Sequence, residues 1–207
     1  MPKVWHKYIK TDSLSGLWKI SESREELLRL LHFTAAEEIV NNTRARQWLA
    51  SRVLVQELLA ELGHTENYQL HRLPSGRPEL SIPGLFISIS HAGDYAAVAL
   101  SKSPIGIDVE KIGNRIERIQ HKFMNEYEKT LLMDEKDIRW MHTVWSAKEA
   151  LFKYDMHGEL DFREHLHLKL EEEGLLFGEI RKNNIVQRLR VPYEFFDEYI
   201  LAWAIPD

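Results

Sequence analysis

Cysteine is absent from the 207 residues of this chain. That excludes a disulfide framework and any cysteine-based zinc or redox site. A long apolar run is missing too. The amino terminus mixes Lys3, His6, Lys7 and Lys10 with single apolar residues and carries no stretch of signal-peptide length, and nothing later is long enough to span a bilayer. Low-complexity segments, a phosphate-binding glycine loop, a dinucleotide fingerprint and a serine in a nucleophile elbow are likewise absent. Positive charge is in short supply: 27 Lys and Arg against 32 Asp and Glu leave a net charge of −5. Broad attraction to nucleic acid or to an anionic membrane is thereby disfavoured, so an anionic ligand needs a local basic patch. What remains, with 44% hydrophobic residues, is a globular chain able to bury one sizeable core or two fused ones, expected in the cytoplasm.

The apolar spacing predicts a long helix over residues 35–62, with Trp48, Val55, Leu58, Leu59 and Leu62 on one broad face and Gly63 ending it. Pro74, Gly76, Pro78, Pro83 and Gly84 punctuate a turn-rich segment. Strands are predicted at 85–90, 95–100 and 105–110, then helical pieces near 125–133 and 137–154, then strands near 165–170, 186–191 and 199–205. Helix followed by strands thus occurs twice. The final strands of the two series, residues 94–100 and 198–204, also look alike, each an acidic residue and a tyrosine followed by small and apolar residues. Duplication and chance similarity both account for this, because any half-buried strand tends to read so. The polar, proline-bearing segment 101–104 is the natural joint, giving halves 1–102 and 103–207.

Two segments stand out chemically. The run from Ile105 to Glu110 alternates strictly, so Gly106, Asp108 and Glu110 share one strand face. Carboxylates side by side repel, and a cation between them is one reason for the arrangement; a solvated edge strand is the other. Oxygen ligands without sulfur point to magnesium or manganese. In the helix over 137–154, Ile138, Met141, Trp145 and Phe152 form an apolar row, with Lys148 and Glu149 bordering it and Lys153 one turn beyond Glu149. Charges beside an apolar stripe are costly unless paired, metal-bound or facing a polar cleft. An ordinary Glu149–Lys153 helix pair is the simpler alternative.

Basic residues lie earlier. Arg44 and Arg52 flank Trp48 at four residues, Arg46 is close by, and Arg77 sits in the turn Gly76-Arg77-Pro78. They are either a phosphate-binding set or a solvated face balanced by Glu37, Glu38 and Glu57. Ser90 and His91 follow a strand, where they can reach a ligand or serve structure alone. His165 and His167 are read as surface, since no third metal ligand has matching spacing.

In order as well as in kind, these residues resemble the surfactin-synthetase-activating (Sfp) type of 4′-phosphopantetheinyl transferase. Gly76-Arg77-Pro78 is similar to that family's Gly-Lys/Arg-Pro turn and Ser88-Ile89-Ser90-His91 to its Ser-His element. The strand Gly106-Ile107-Asp108-Val109-Glu110 and the helix Trp145-Ser146-Ala147-Lys148-Glu149-Ala150-Leu151-Phe152-Lys153 match its two most specific motifs. The resemblance covers roughly residues 44–153. It implies an α+β fold of two similar halves related by a pseudo-twofold axis, with coenzyme A in the cleft between them. It further implies magnesium, or manganese, on Asp108, Glu110 and Glu149. The adenosine phosphates would fall to Ser90, His91 and Arg77, with Arg46 or Arg52. Lys148 would add charge at the phosphates, Glu149 is a candidate base, and Lys153 would assist departure of 3′,5′-ADP. The partner would be an acyl carrier protein or carrier domain, and the protein a monomer. A magnesium-dependent phosphohydrolase acting on coenzyme A or a nucleotide and a coenzyme A-binding or carrier-binding module without turnover are the rival readings.

Overall fold

The computed structural model describes residues 4–10, 13–32, 41–65, 67–134, 137–155 and 159–207. The chain divides into two compact units, Met1–Ser103 and Pro104–Asp207. It is a mixed α and β protein with several sheets.

The first unit is a four-stranded antiparallel sheet in the order β1-β2-β6-β5, formed by β1 (Val4–Lys10), β2 (Ser13–Lys19), β5 (Phe86–Ala92) and β6 (Tyr95–Ser101). A two-stranded ribbon pairs β3 (Leu70–Arg72) with β4 (Pro78–Leu80). Two helices, α1 (Arg24–Leu30) and α2 (Asn42–Glu61), complete it. α2 begins where Asn41 accepts a hydrogen bond from the Arg44 amide and ends before Gly63, whose φ of +83° suits the left-handed exit of a helix. The part of the predicted helix before residue 41 lies outside the described residues. α2 rests on β6, β2 and β5. Leu49, Val53, Leu54 and Leu58 join Leu14, Trp18 and Val98 in one core, while Trp48 and Leu62 are only half-buried. Every residue of β6 is buried, which suits its run of alanines, valine and leucine as an inner strand.

The second unit is a five-stranded antiparallel sheet ordered β7-β11-β10-β9-β8. Its strands are β7 (Gly106–Lys111), β8 (Leu166–Glu172), β9 (Leu175–Lys182), β10 (Ile185–Phe196) and β11 (Tyr199–Pro206). A 3₁₀ turn at Asn114–Arg118 and two short helices, α3 (Gln120–Phe123) and α4 (Glu126–Thr130), lead into α5 (Ile138–Tyr154). α5 packs on β7 and β11. The approach is close: a Cβ on Gly106 would lie 1.9 Å from the Ala150 carbonyl oxygen, so only glycine admits the helix backbone there.

The predicted strands and helices of the chemical segments are present with ends moved by a residue or two. The reading along the sequence missed β1, β2, α1, the β3–β4 ribbon and β9. β2 is Ser-Leu-Ser-Gly-Leu-Trp-Lys, in which serine and glycine disguise positions that are buried. β9 carries Gly178 mid-strand, a residue that reads as a breaker. Its Cβ would stand 2.9 Å from Leu151 Cδ2, so contact with α5 selects the glycine.

Candidate active site

β7 and α5 build one cluster. Because Gly106 must face the α5 backbone, alternation turns Asp108 and Glu110 to the same helix. α5 answers with Trp145, Ser146, Glu149 and Lys153, residues spaced to share one side. Asp108 is 2% exposed and fully engaged. Its Oδ2 accepts from Ser146 Oγ at 2.9 Å and its Oδ1 from Lys153 Nζ at 2.7 Å. Glu110 Oε1 accepts from the Trp145 indole at 3.1 Å. That indole is fixed between Phe123 and Phe162, with ring centroids 5.1 and 5.4 Å away.

The charges are strained in the direction a cation relieves. Burial pushes the Glu110 carboxyl up to about 7, and the negative charges of Asp108 and Glu149 add to it; the Trp145 hydrogen bond and Lys153 work the other way. Glu149 is half-buried and also raised, first by burial and then by Asp108, with Lys153 opposing. An all-oxygen, net-negative donor set of this kind fits a hard divalent cation in its chemistry. It is not drawn together around one: among the described residues no group of three or more acidic or histidine side chains is arranged to hold a metal ion. Lys153, Ser146 and Trp145 hold the carboxylates Asp108 and Glu110 instead.

Lys148 does not join this cluster. Its ammonium donates to the carbonyls of Phe123 at 2.6 Å and Phe162 at 2.8 Å and meets Glu128 at 2.8 Å, with neither charged side chain exposed. Those contacts match all three of its protons, so the placement expected for it at the phosphates is corrected. Burial pulls its pKa below the usual lysine range, with Glu128 opposing.

The first-unit residues are placed as follows. Ser90 is buried and His91 exposed, both on β5. Arg77 is half-buried beside Gly76, whose φ is +87°. Arg46 turns inward to structure: its Nε donates to the Glu22 carbonyl at 2.8 Å and its Nη2 to that of Ile20 at 3.2 Å. Arg52 lies over the Trp48 ring at 3.8 Å and donates to Ser51 Oγ at 3.1 Å. His165 and His167 bond locally, to the Asp161 amide and to Asn125 and the Glu164 carbonyl. The sequence reading missed Trp145 and Ser146 as partners of the carboxylates and Glu128 as the partner of Lys148. The first two are visible in the sequence as neighbours of the charged pair. Glu128 is visible there only as the far end of an Asn125-to-Glu128 capping box.

Residues 104–204 match the family model of the 4′-phosphopantetheinyl transferase superfamily, so the second unit is a domain of that superfamily and the chain is a transferase. The chain is similar to the 4′-phosphopantetheinyl transferase ffp of Bacillus subtilis, 28% identical over 178 residues that cover 78% of each chain. It is also similar to the 4′-phosphopantetheinyl transferase Sfp of Bacillus subtilis strain 168, at 26% identity over 73% of each. Another relative is the 4′-phosphopantetheinyl transferase psf-1 of Bacillus pumilus, 28% identical over 68% of this chain and 63% of that protein.

Proposed function

We propose that the chain moves the 4′-phosphopantetheine group of coenzyme A onto a serine of an apo acyl or peptidyl carrier protein, releasing 3′,5′-ADP. The observation that carries this reading is the β7–α5 cluster within the domain that matches the superfamily, in which Lys153 pairs with Asp108 and its charge acts on Glu110 and Glu149. The serine oxygen forms a bond to the phosphorus that bears pantetheine, and the bridging P–O bond to the adenosine side breaks. The serine proton passes to a carboxylate or to water. Such a transfer needs positioning and charge neutralisation more than covalent help from the protein.

Asp108, Glu110 and Glu149 would hold Mg²⁺, or Mn²⁺ in its place; when bound, the ion supplies Lewis-acid neutralisation of the pyrophosphate. Lys153 supplies positive charge at the phosphates and to the departing 3′,5′-ADP. Glu149 and Glu110 are the candidates to take the serine proton, directly or through a water. Arg77, Ser90 and His91 hold the adenosine phosphates in this reading. Arg46 and Arg52 contribute less directly, because their guanidinium groups already serve loop carbonyls and Trp48. The two units act as related halves within one cytoplasmic monomer.

The test is mass spectrometry of an apo carrier protein incubated with this protein, coenzyme A and magnesium, with and without chelator. A gain of one phosphopantetheine mass only when metal is present is expected. Cleavage of coenzyme A with no change in the carrier would favour a hydrolase and overturn the reading.

A further inference from the structure

One ammonium serves three carboxylates. Lys153 lies 2.7 Å from Asp108 Oδ1, and its charge also acts on Glu110 and Glu149, easing both back toward ordinary acidity against the push of burial. Asp108 itself is almost wholly buried, and its other oxygen is held by Ser146. One of the three carboxylates proposed to hold a divalent cation thus already has a cation on it. An ion bonded to that oxygen at the roughly 2.1 Å usual for magnesium would be less than about 5 Å from the ammonium, and its repulsion is twice that of a single charge. Sharing is therefore disfavoured where little water screens the pair. Lysine is suited to leave: its charge sits at the end of a flexible four-carbon stem, and this side chain is 25% exposed, so it has somewhere to go.

We infer that Lys153 is a displaceable counter-ion of Asp108, which gives up that carboxylate to the divalent cation and in the same event turns its ammonium to the substrate phosphates. The inference rests on the function proposed above and adds a coupling to it. Metal entry and the arming of Lys153 are one exchange, so coenzyme A, which offers the lysine another anion, favours metal binding, and metal favours coenzyme A to the same degree.

The test compares Mn²⁺ affinity, read from the electron paramagnetic resonance signal of the free ion without coenzyme A, in the unaltered protein, Lys153→Met and Lys111→Met. Lys111 lies on β7, the strand that carries Asp108, but is 51% exposed and pairs with Glu198 at 3.5 Å, so its loss reports the general effect of removing one positive charge. Lys153→Met should bind Mn²⁺ at least about tenfold more tightly than Lys111→Met. In the unaltered protein, the side-chain resonance of Lys153, assigned by its loss in Lys153→Arg, should shift as Mg²⁺ saturates. Equal or weaker Mn²⁺ binding by Lys153→Met overturns the exchange, and so does an unmoved lysine resonance, which keeps the test decisive should the methionine variant fold poorly. Binding of Mn²⁺ by none of the three proteins would instead remove the proposed metal site, and the exchange with it.

Discussion

Lys148 and Glu128 meet at 2.8 Å with neither side chain exposed to solvent. The pair ties five pieces of the second unit together. Lys148 on α5 reaches the carbonyl at the end of α3 and the carbonyl of Phe162, while Glu128 on α4 accepts from the amides of Asn125 and of Leu168 on β8. Removing one partner leaves the other charge buried alone. Lys148→Met should therefore cost about 3–5 kcal/mol of stability. Adding Glu128→Gln should restore part of it, so urea unfolding of the single and double variants checks the coupling. A Lys148 variant that loses transfer but keeps its unfolding midpoint would return this residue to the phosphates.

Gly106→Ala should be worse tolerated than its chemistry suggests. The new methyl meets the Ala150 carbonyl and, at 2.8 Å, the Tyr154 amide nitrogen, both of which are backbone and cannot swing aside. Lifting α5 from β7 should cost at least about 3 kcal/mol. A thermal midpoint within a degree or two of the unaltered protein would show that the helix has room.

Stability should depend on pH through Glu110. Its carboxyl is raised from 4.5 to about 7, so the folded protein holds that proton more tightly than the unfolded chain does. The contribution is fully present below 4.5 and is lost as pH rises through about 7. Glu149 is raised in the same direction. In chelator, unfolding free energy should fall between about pH 4.5 and 7 and level off above that, and Glu110→Gln should flatten the slope and gain about 1–3 kcal/mol near pH 8. Glutamine still accepts from Trp145, which isolates the charge. A steeper slope in the variant would contradict the assignment.

Glu149→Gln retains size and removes a charge from the cluster. Carrier modification in single turnover should fall by at least about a hundredfold, with the fold intact by circular dichroism. If Glu149 and Lys153 were only a surface pair, the change would cost about 0.5 kcal/mol and leave the rate nearly untouched. Rate and thermal midpoint measured together separate the two.

Much of this protein is legible in its amino-acid sequence. Strict alternation from Ile105 to Glu110 puts two carboxylates on one face, and the helical spacing of Trp145, Glu149 and Lys153 puts their partners on another. Both are local periodicities, which a chain states wherever it is read. The strands disguised by serine and glycine are not legible, because Gly106, Gly178 and the small residues of β2 are chosen by what packs against them and not by strand propensity. Nor is the fate of the basic residues. Lys148 and Glu149 are adjacent in sequence and about 100° apart around the helix. Only the placement of α4 against α5 decides that one is sealed onto Glu128 while the other joins Asp108 and Glu110. Arg46 likewise reads as a phosphate ligand, yet the chain at residues 20–22 folds beneath it and takes its hydrogen bonds. The sequence by itself determined which charged groups exist and which faces of strand and helix they occupy; tertiary structure alone decided which charge finds which partner, because a buried ion is stable only beside the particular donors and counter-charges that packing delivers to it.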